Sequence, residues 1–317
     1  MDGSAPKIEI IAPFRAAYDW MKMVLFRPFD VAKWLTIAFA AFIAGAMGGT
    51  SGGNFGRVGR LGNGDWKYSA TRHGDLNWNP EPWIIAAIIG LFVFVALFVV
   101  VWMWVSSRGQ FIFTDCVVRN RGAIGEPWRE YRREGNSFFL FSLLVGFGML
   151  VIIALAGLLM WLCFVGMRDH ESGPGTVIVV IGISLVVLLW IAFWLCFAVI
   201  SAFMIPVMYR RRCLAREAFV DVAKLIGSNP VPFILFVLFQ IALAIGLVII
   251  GTMVACFTCC IGGLPYVSTV LLLPAIVWLG AYKLMFLRQF GDAYDAWSVV
   301  APPQPVEPLP PPPNPAV

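Results

Sequence analysis

The chain has 317 residues, of which 60% are hydrophobic and only 13% charged, with a formal net charge of +5 and a mean hydropathy of +0.83. A soluble domain carries about 25% charged residues and is rarely so apolar. These values exclude an ordinary soluble core, a disordered chain and a nucleic-acid-binding protein, and they point to an all-α polytopic membrane protein.

A bilayer core of about 30 Å needs roughly 20 apolar residues in a helix. Six stretches are predicted to meet that need: 31–47, 83–105, 137–166, 176–207, 232–257 and 267–286. Continuous apolar runs of this length are helices, because barrel strands alternate. The first is the shortest. Ala44-Gly45-Ala46 imitates a cleavage site, but about 30 residues precede the apolar run, too many for the leader of an ordinary signal peptide. Pro206 is expected to mark where the fourth span leaves the membrane.

Orientation follows from lysine and arginine. The N-terminal segment holds five (Lys7, Arg15, Lys22, Arg27, Lys33), the loop after span two six (Arg108 to Arg133), and the loop after span four five (Arg210, Arg211, Arg212, Arg216, Lys224). With Lys283 and Arg288 these make 18 of the 23 basic residues, on alternate sides of the spans. Both termini are therefore expected in the cytoplasm, and an even number of spans is required.

A short amphipathic segment precedes each odd-numbered span. Arg15, Asp19 and Lys22 recur at i, i+4 and i+7, as do Glu126, Glu130 and Arg133, and Glu217, Asp221 and Lys224. That spacing places each trio on one helical face, with an acid–base pair at i, i+3. The expectation is three units, each a cytoplasmic interfacial helix followed by a two-span hairpin, within a single membrane domain over 1–300. An external loop over 48–82 begins Gly-rich and continues with Trp66, Tyr68 and Trp78, which are candidates for partner contact on an otherwise flexible surface. The tail over 301–317 is Pro-rich and expected to be disordered and extended, a possible docking ligand for a cytoplasmic protein.

Cys163, Cys256, Cys259 and Cys260 fall at external span ends, where they are apolar thiols, a disulfide, or less readily a metal site. His73 and His170 lie in external loops. Neither a cofactor nor a metal is expected. Ionisable residues inside a bilayer usually mark a pathway, and the span interiors hold essentially none. Lys33 and Lys283 sit near span ends, where an ammonium can snorkel. Gln240 is the one long polar side chain well inside a span, suited to an interhelical hydrogen bond.

The cytoplasmic side is richer. Arg119, Arg121, Arg129, Arg132, Arg133, Arg210, Arg211 and Arg212 are the candidates for contact with anionic headgroups, although many can equally pair within the protein. An enzyme of lipid headgroups using Asp115, Glu126 or Glu130 is less favoured, since arginines flank these carboxylates.

The segments RGQFIFTDCVVRNR (108–121), EPWREYRREGNSFFLF (126–141) and FRPFDVAKW (26–34) resemble those of a family of uncharacterised bacterial six-span membrane proteins. More distantly, the chain is similar to the membrane domain attached to some glycerophosphodiester phosphodiesterases, without their soluble catalytic domain. The resemblance implies the bacterial inner membrane and no catalytic residue. The expected function is that of a non-catalytic membrane protein organising lipid, a membrane-protein partner or further copies of itself; the alternative is a transporter or channel for an amphiphilic solute or lipid.

Overall fold

The computed structural model describes residues 8–45, 82–167, 174–257 and 265–299. Ten α-helices follow in order: α1 (Ile11–Phe26), α2 (Val31–Gly45), α3 (Pro82–Val118), α4 (Gly125–Glu130), α5 (Arg132–Met167), α6 (Pro174–Arg211), α7 (Ala215–Ser228), α8 (Pro230–Phe257), α9 (Pro265–Leu271) and α10 (Leu273–Arg288). Two short 3₁₀ turns close the described chain, and no strand occurs among the described residues. Four helical segments are long and apolar enough to cross a membrane: Pro82–Val118, Arg132–Leu159, Ser184–Arg211 and Pro230–Met253. Helix α2 is apolar but only 15 residues long. The sixth predicted span is divided at Leu272 into α9 and α10.

The charged residues gather where α3 and α6 end and α5 and α8 begin, here called the basic end. Around it lies the core. Residues 106–118 of α3 are buried on every face of the helix. Helix α2 runs antiparallel beside this stretch: Lys33 meets Asn120 at one end, and the Ser106 hydroxyl reaches the Ala44 carbonyl at the other, 3.4 Å away. Their approach is close because α2 presents Ala40, Ala41 and Ala44 while α3 presents Gly109. A Cβ on Gly109 would come within 2.4 Å of Ile43 and 3.0 Å of the Ala44 backbone nitrogen. Asp30 begins α2 as a cap, its Oδ1 accepting the Ala32 N–H at 2.9 Å.

Helix α1 lies antiparallel to α10. Trp278 Nε1 donates to the Phe14 carbonyl at 3.0 Å, and Glu9 and Gln289 exchange two bonds at 2.8 Å. Helix α8 packs differently, holding the bundle through rings: Phe233 and Phe236 against Phe203 and Phe286, and Phe239 against Tyr282. Aromatic pairs at these separations contribute about 0.5–1.5 kcal/mol each beyond the area they bury.

Several expectations change. Residues from Arg108 to Val118 are not the start of a loop; α3 runs through them. Helix α6 runs to Arg211 with Pro206 inside it, a helical bound that is distinct from the point where the helix leaves the membrane. Of the three amphipathic segments, α1 and α7 form helices, but the second is broken at Tyr131 between α4 and α5. Only the first has its i, i+3 pair, Lys22 to Asp19 at 2.7 Å. Asp221 pairs with Arg211 and Glu130 with Arg119 and Arg212, partners from other turns of the chain.

Candidate functional site

The basic end is organised around one carboxylate. Asp115 lies in the last turn of α3 with its side chain wholly buried. An ionised carboxylate in such a place is costly unless its lone pairs are filled. Two hydrogen bonds and two ion contacts, from three side chains, surround it. Arg119 Nε lies 3.1 Å from Oδ1, Arg121 Nε donates to Oδ2 at 3.0 Å, and the Arg121 Nη2 lies 3.0 Å from the same oxygen. The Tyr209 hydroxyl, from α6, donates to Oδ1 at 3.0 Å. The helix ends at Val118, and Asn120 adopts a left-handed φ of 54°, a conformation asparagine tolerates. The reversal after α3 thereby returns Arg121 to a residue six positions earlier.

From Asp115 the charges continue outward. Arg119 also reaches Glu130 at 3.1 Å, and Arg121 reaches Glu126 at 2.6 Å. Arg212, beyond the end of α6, pairs with Glu130, lies 3.7 Å from Glu134 and places its guanidinium 3.9 Å over the Tyr131 ring. Tyr131 in turn stacks on Tyr209 with centroids 4.9 Å apart. Burial opposes the charge of Arg119, but the Asp115 carboxylate, with the Tyr209 and Tyr131 hydroxyls, raises its pKa above the ordinary arginine value. Burial also pushes the Tyr131 hydroxyl up, with the Tyr209 hydroxyl and Arg212 acting in the opposite sense. Arg119 therefore stays cationic and Tyr131 neutral. Such an arrangement locks three chain segments together; its carboxylates are occupied by guanidinium groups.

Arg108 is held separately. Its guanidinium donates to Asn136 Oδ1 at 2.8 and 3.3 Å and lies 4.3 Å and 5.0 Å from the Trp104 and Trp128 rings. Gly135 makes this possible, since a Cβ there would come within 2.9 Å of Arg108 Cγ.

The eight arginines singled out from the sequence thus divide. Arg119, Arg121, Arg211 and Arg212 are in ion pairs. Arg129, Arg132 and Arg133 are exposed and have no ion pair among the described residues, and Arg210 is half-buried. Lys33 donates to Asn120 at 2.7 Å. Trp66, Tyr68, Trp78, His73, His170, Cys259, Cys260 and the Pro-rich tail lie outside the described residues, as do the side chains of Cys163 and Cys256, so the disulfide and partner-contact expectations fall there too. Among the described residues no three His, Cys, Asp or Glu side chains gather as a metal site would need, and Cys116, Cys196 and Cys213 are free thiols.

A second feature lies deeper. A cavity of about 600 Å³ opens among α3, α5, α6, α8 and α10. Its wall is mostly apolar, with Trp190, Trp194, Phe203 and Phe236, and it includes Gln110, Gln240 and Lys283. Sequence reasoning missed it. Gln240 was visible as a polar residue in a span, but nothing in the chain order joined it to Gln110 or Lys283.

Comparison with known proteins adds one finding. Residues 9–297 match the family described as Family of unknown function (DUF7544), and the chain belongs to that family. The Pro-rich tail lies beyond the matched region. No curated protein and no solved structure matches the chain.

Proposed function

We propose that this member of the family is a non-catalytic integral membrane protein that organises anionic lipid, and through it partner proteins or further copies of itself, at its basic end. One observation carries the proposal: Arg129, Arg132 and Arg133 project without ion pairs from a rim whose neighbouring arginines are tied to carboxylates. Cations free of internal partners are the ones available to headgroups, at about 1 kcal/mol per residue near an anionic surface. The engagement of Asp115, Glu126 and Glu130 with arginine supports a structural role for these carboxylates, not acid–base work.

In the bilayer, the four long helices cross, and α2 and the α9–α10 pair complete six crossings in three hairpins. Helix α2, at about 1.5 Å per residue, reaches about 22 Å and crosses only with local thinning. Helices α1, α4 and α7 lie at the headgroup boundary. The charge bias and the resemblance to bacterial six-span proteins favour the inner membrane, with both termini cytoplasmic.

The test compares the protein in nanodiscs of phosphatidylglycerol with nanodiscs of phosphatidylcholine. A higher unfolding midpoint in the anionic disc is expected, and the joint substitution R129Q/R132Q/R133Q removes the difference. Equal midpoints for the unaltered protein would sink the proposal. The cavity favours a second function, carriage of an amphiphile across or within the bilayer, which a liposome flux assay addresses.

A further inference from the structure

Lys283 lies in α10, one and a half turns before Arg288 ends the helix. It is partly buried and lines the cavity, where it forms no ion pair or hydrogen bond with any described residue. The side-chain amides of Gln110 and Gln240 line the same space and likewise have no partner among the described residues. The cavity wall includes no aspartate or glutamate. An ammonium in so apolar a setting is costly without a counter-charge. The cavity therefore combines a long apolar lining with one cation and two amides lacking partners. Its volume, about 600 Å³, falls within the range of about 300–1,000 Å³ usual for ligand sites.

We propose that this cavity binds a single-chain fatty carboxylate, its headgroup paired with Lys283 and bonded by Gln110 and Gln240, and its acyl chain against the tryptophans and phenylalanines. The charge is complementary and the donors are sufficient: a carboxylate accepts about four hydrogen bonds, which the ammonium and the two amides can together supply. A single positive group suits a single negative one, whereas a phosphate carrying more than one negative charge would leave charge unbalanced in a wall with no second cation. The space suits one chain, so that a two-chain phospholipid would have to leave the other outside. Loose backbone packing of α8, which leans on aromatic rings, leaves the room in which the chain lies.

The proposal rests on the membrane reading of the protein but not on its arginine rim. The test measures binding of radiolabelled palmitate and of hexadecanol to the full chain in phosphatidylcholine nanodiscs. Saturable binding of one palmitate per chain is expected, with hexadecanol weaker by about tenfold or more, as the loss of a charge-assisted bond implies. Lys283→Gln should weaken palmitate by a similar factor and bring it level with hexadecanol, while Lys283→Arg retains most binding. Ala244→Trp, which fills the cavity wall, should abolish both. The unfolding midpoint of Lys283→Gln should not fall, because the substitution removes an uncompensated charge; this separates lost binding from lost folding. Equal binding of palmitate and hexadecanol, unchanged palmitate affinity in Lys283→Gln, or displacement of palmitate by phosphatidylglycerol would overturn the proposal. A palmitate response without a phosphatidylglycerol response would leave the cavity standing and remove the arginine rim.

Discussion

Residues 82–102 of α3 are exposed along their length, with Ile84 alone partly covered, whereas residues 106–118 of the same helix are buried without interruption. The far halves of other long helices are likewise exposed, at Phe147, Leu158 and Trp161 of α5 and Leu185 and Leu188 of α6, whereas α8 is exposed at both ends, at Val231 and Ile234 as at Ile249 and Met253. The exposed half of α3 is apolar throughout, whereas the buried half carries Ser106, Ser107, Arg108, Gln110, Thr114 and Asp115, so burial here runs opposite to hydrophobicity. Lipid tails are as apolar as leucine, and helices in a bilayer gain little by hiding apolar surface from them. What holds the basic end together is close packing of small residues, ring contacts and buried ion pairs, all of which need specific partners. The exposed, apolar distal half is long enough to cross a membrane and is suited to a hydrocarbon solvent.

Substitutions should therefore divide by half, and unfolding of the purified protein in mild detergent, followed by tryptophan fluorescence, gives the measure. Asp115→Ala leaves two guanidinium groups without their buried partner and should cost about 3–5 kcal/mol, the largest effect expected. Gly109→Leu forces side-chain atoms into the backbone of α2 and should cost about 3 kcal/mol through overpacking. Tyr209→Phe removes one hydrogen bond to a charged group and should cost about 2 kcal/mol while the ring stack on Tyr131 persists. Leu97→Ala and Gly90→Ala, on the bare half, should stay within about 0.5 kcal/mol. A loss at Leu97 as large as that at Tyr209 would break the comparison, showing that the distal half has a protein partner. A Gly109→Leu protein of normal stability would break it from the other side.

Much of the packed end was legible in part. The three sequence segments that carry the family resemblance supply its key positions: Asp30 capping α2, Asp115, Arg119, Asn120 and Arg121 in the ion network, and Glu130, Tyr131 and Gly135 beside it. The proximity of acidic and basic residues between 108 and 136 suggested pairing within the protein. The partners from α6 were not legible, because Tyr209 and Arg212 are respectively 94 and 82 positions from the groups they meet. The threefold charge pattern predicted one local ion pair per segment, and distant arginines took two of the three carboxylates. An exposed i, i+4 or i, i+3 pair is worth only about 0.3–0.5 kcal/mol, so a better-buried partner displaces it easily.

By itself the amino-acid sequence determined that the chain is helical, that long apolar runs form helices fit to cross a membrane, and that basic residues gather on one side of them. These are properties of composition and local order: a backbone in hydrocarbon must bond to itself, and the apolar runs are too long to do otherwise. Tertiary structure decided where a helix ends and a loop begins, since α3 continues through Arg108 only because neighbours cover its last turns. It also decided which arginines are neutralised, which remain free, and that Gln110, Gln240 and Lys283 share one cavity. Those outcomes depend on contacts between residues far apart in the chain, where the energy of a charge is set by what surrounds it and not by what precedes it.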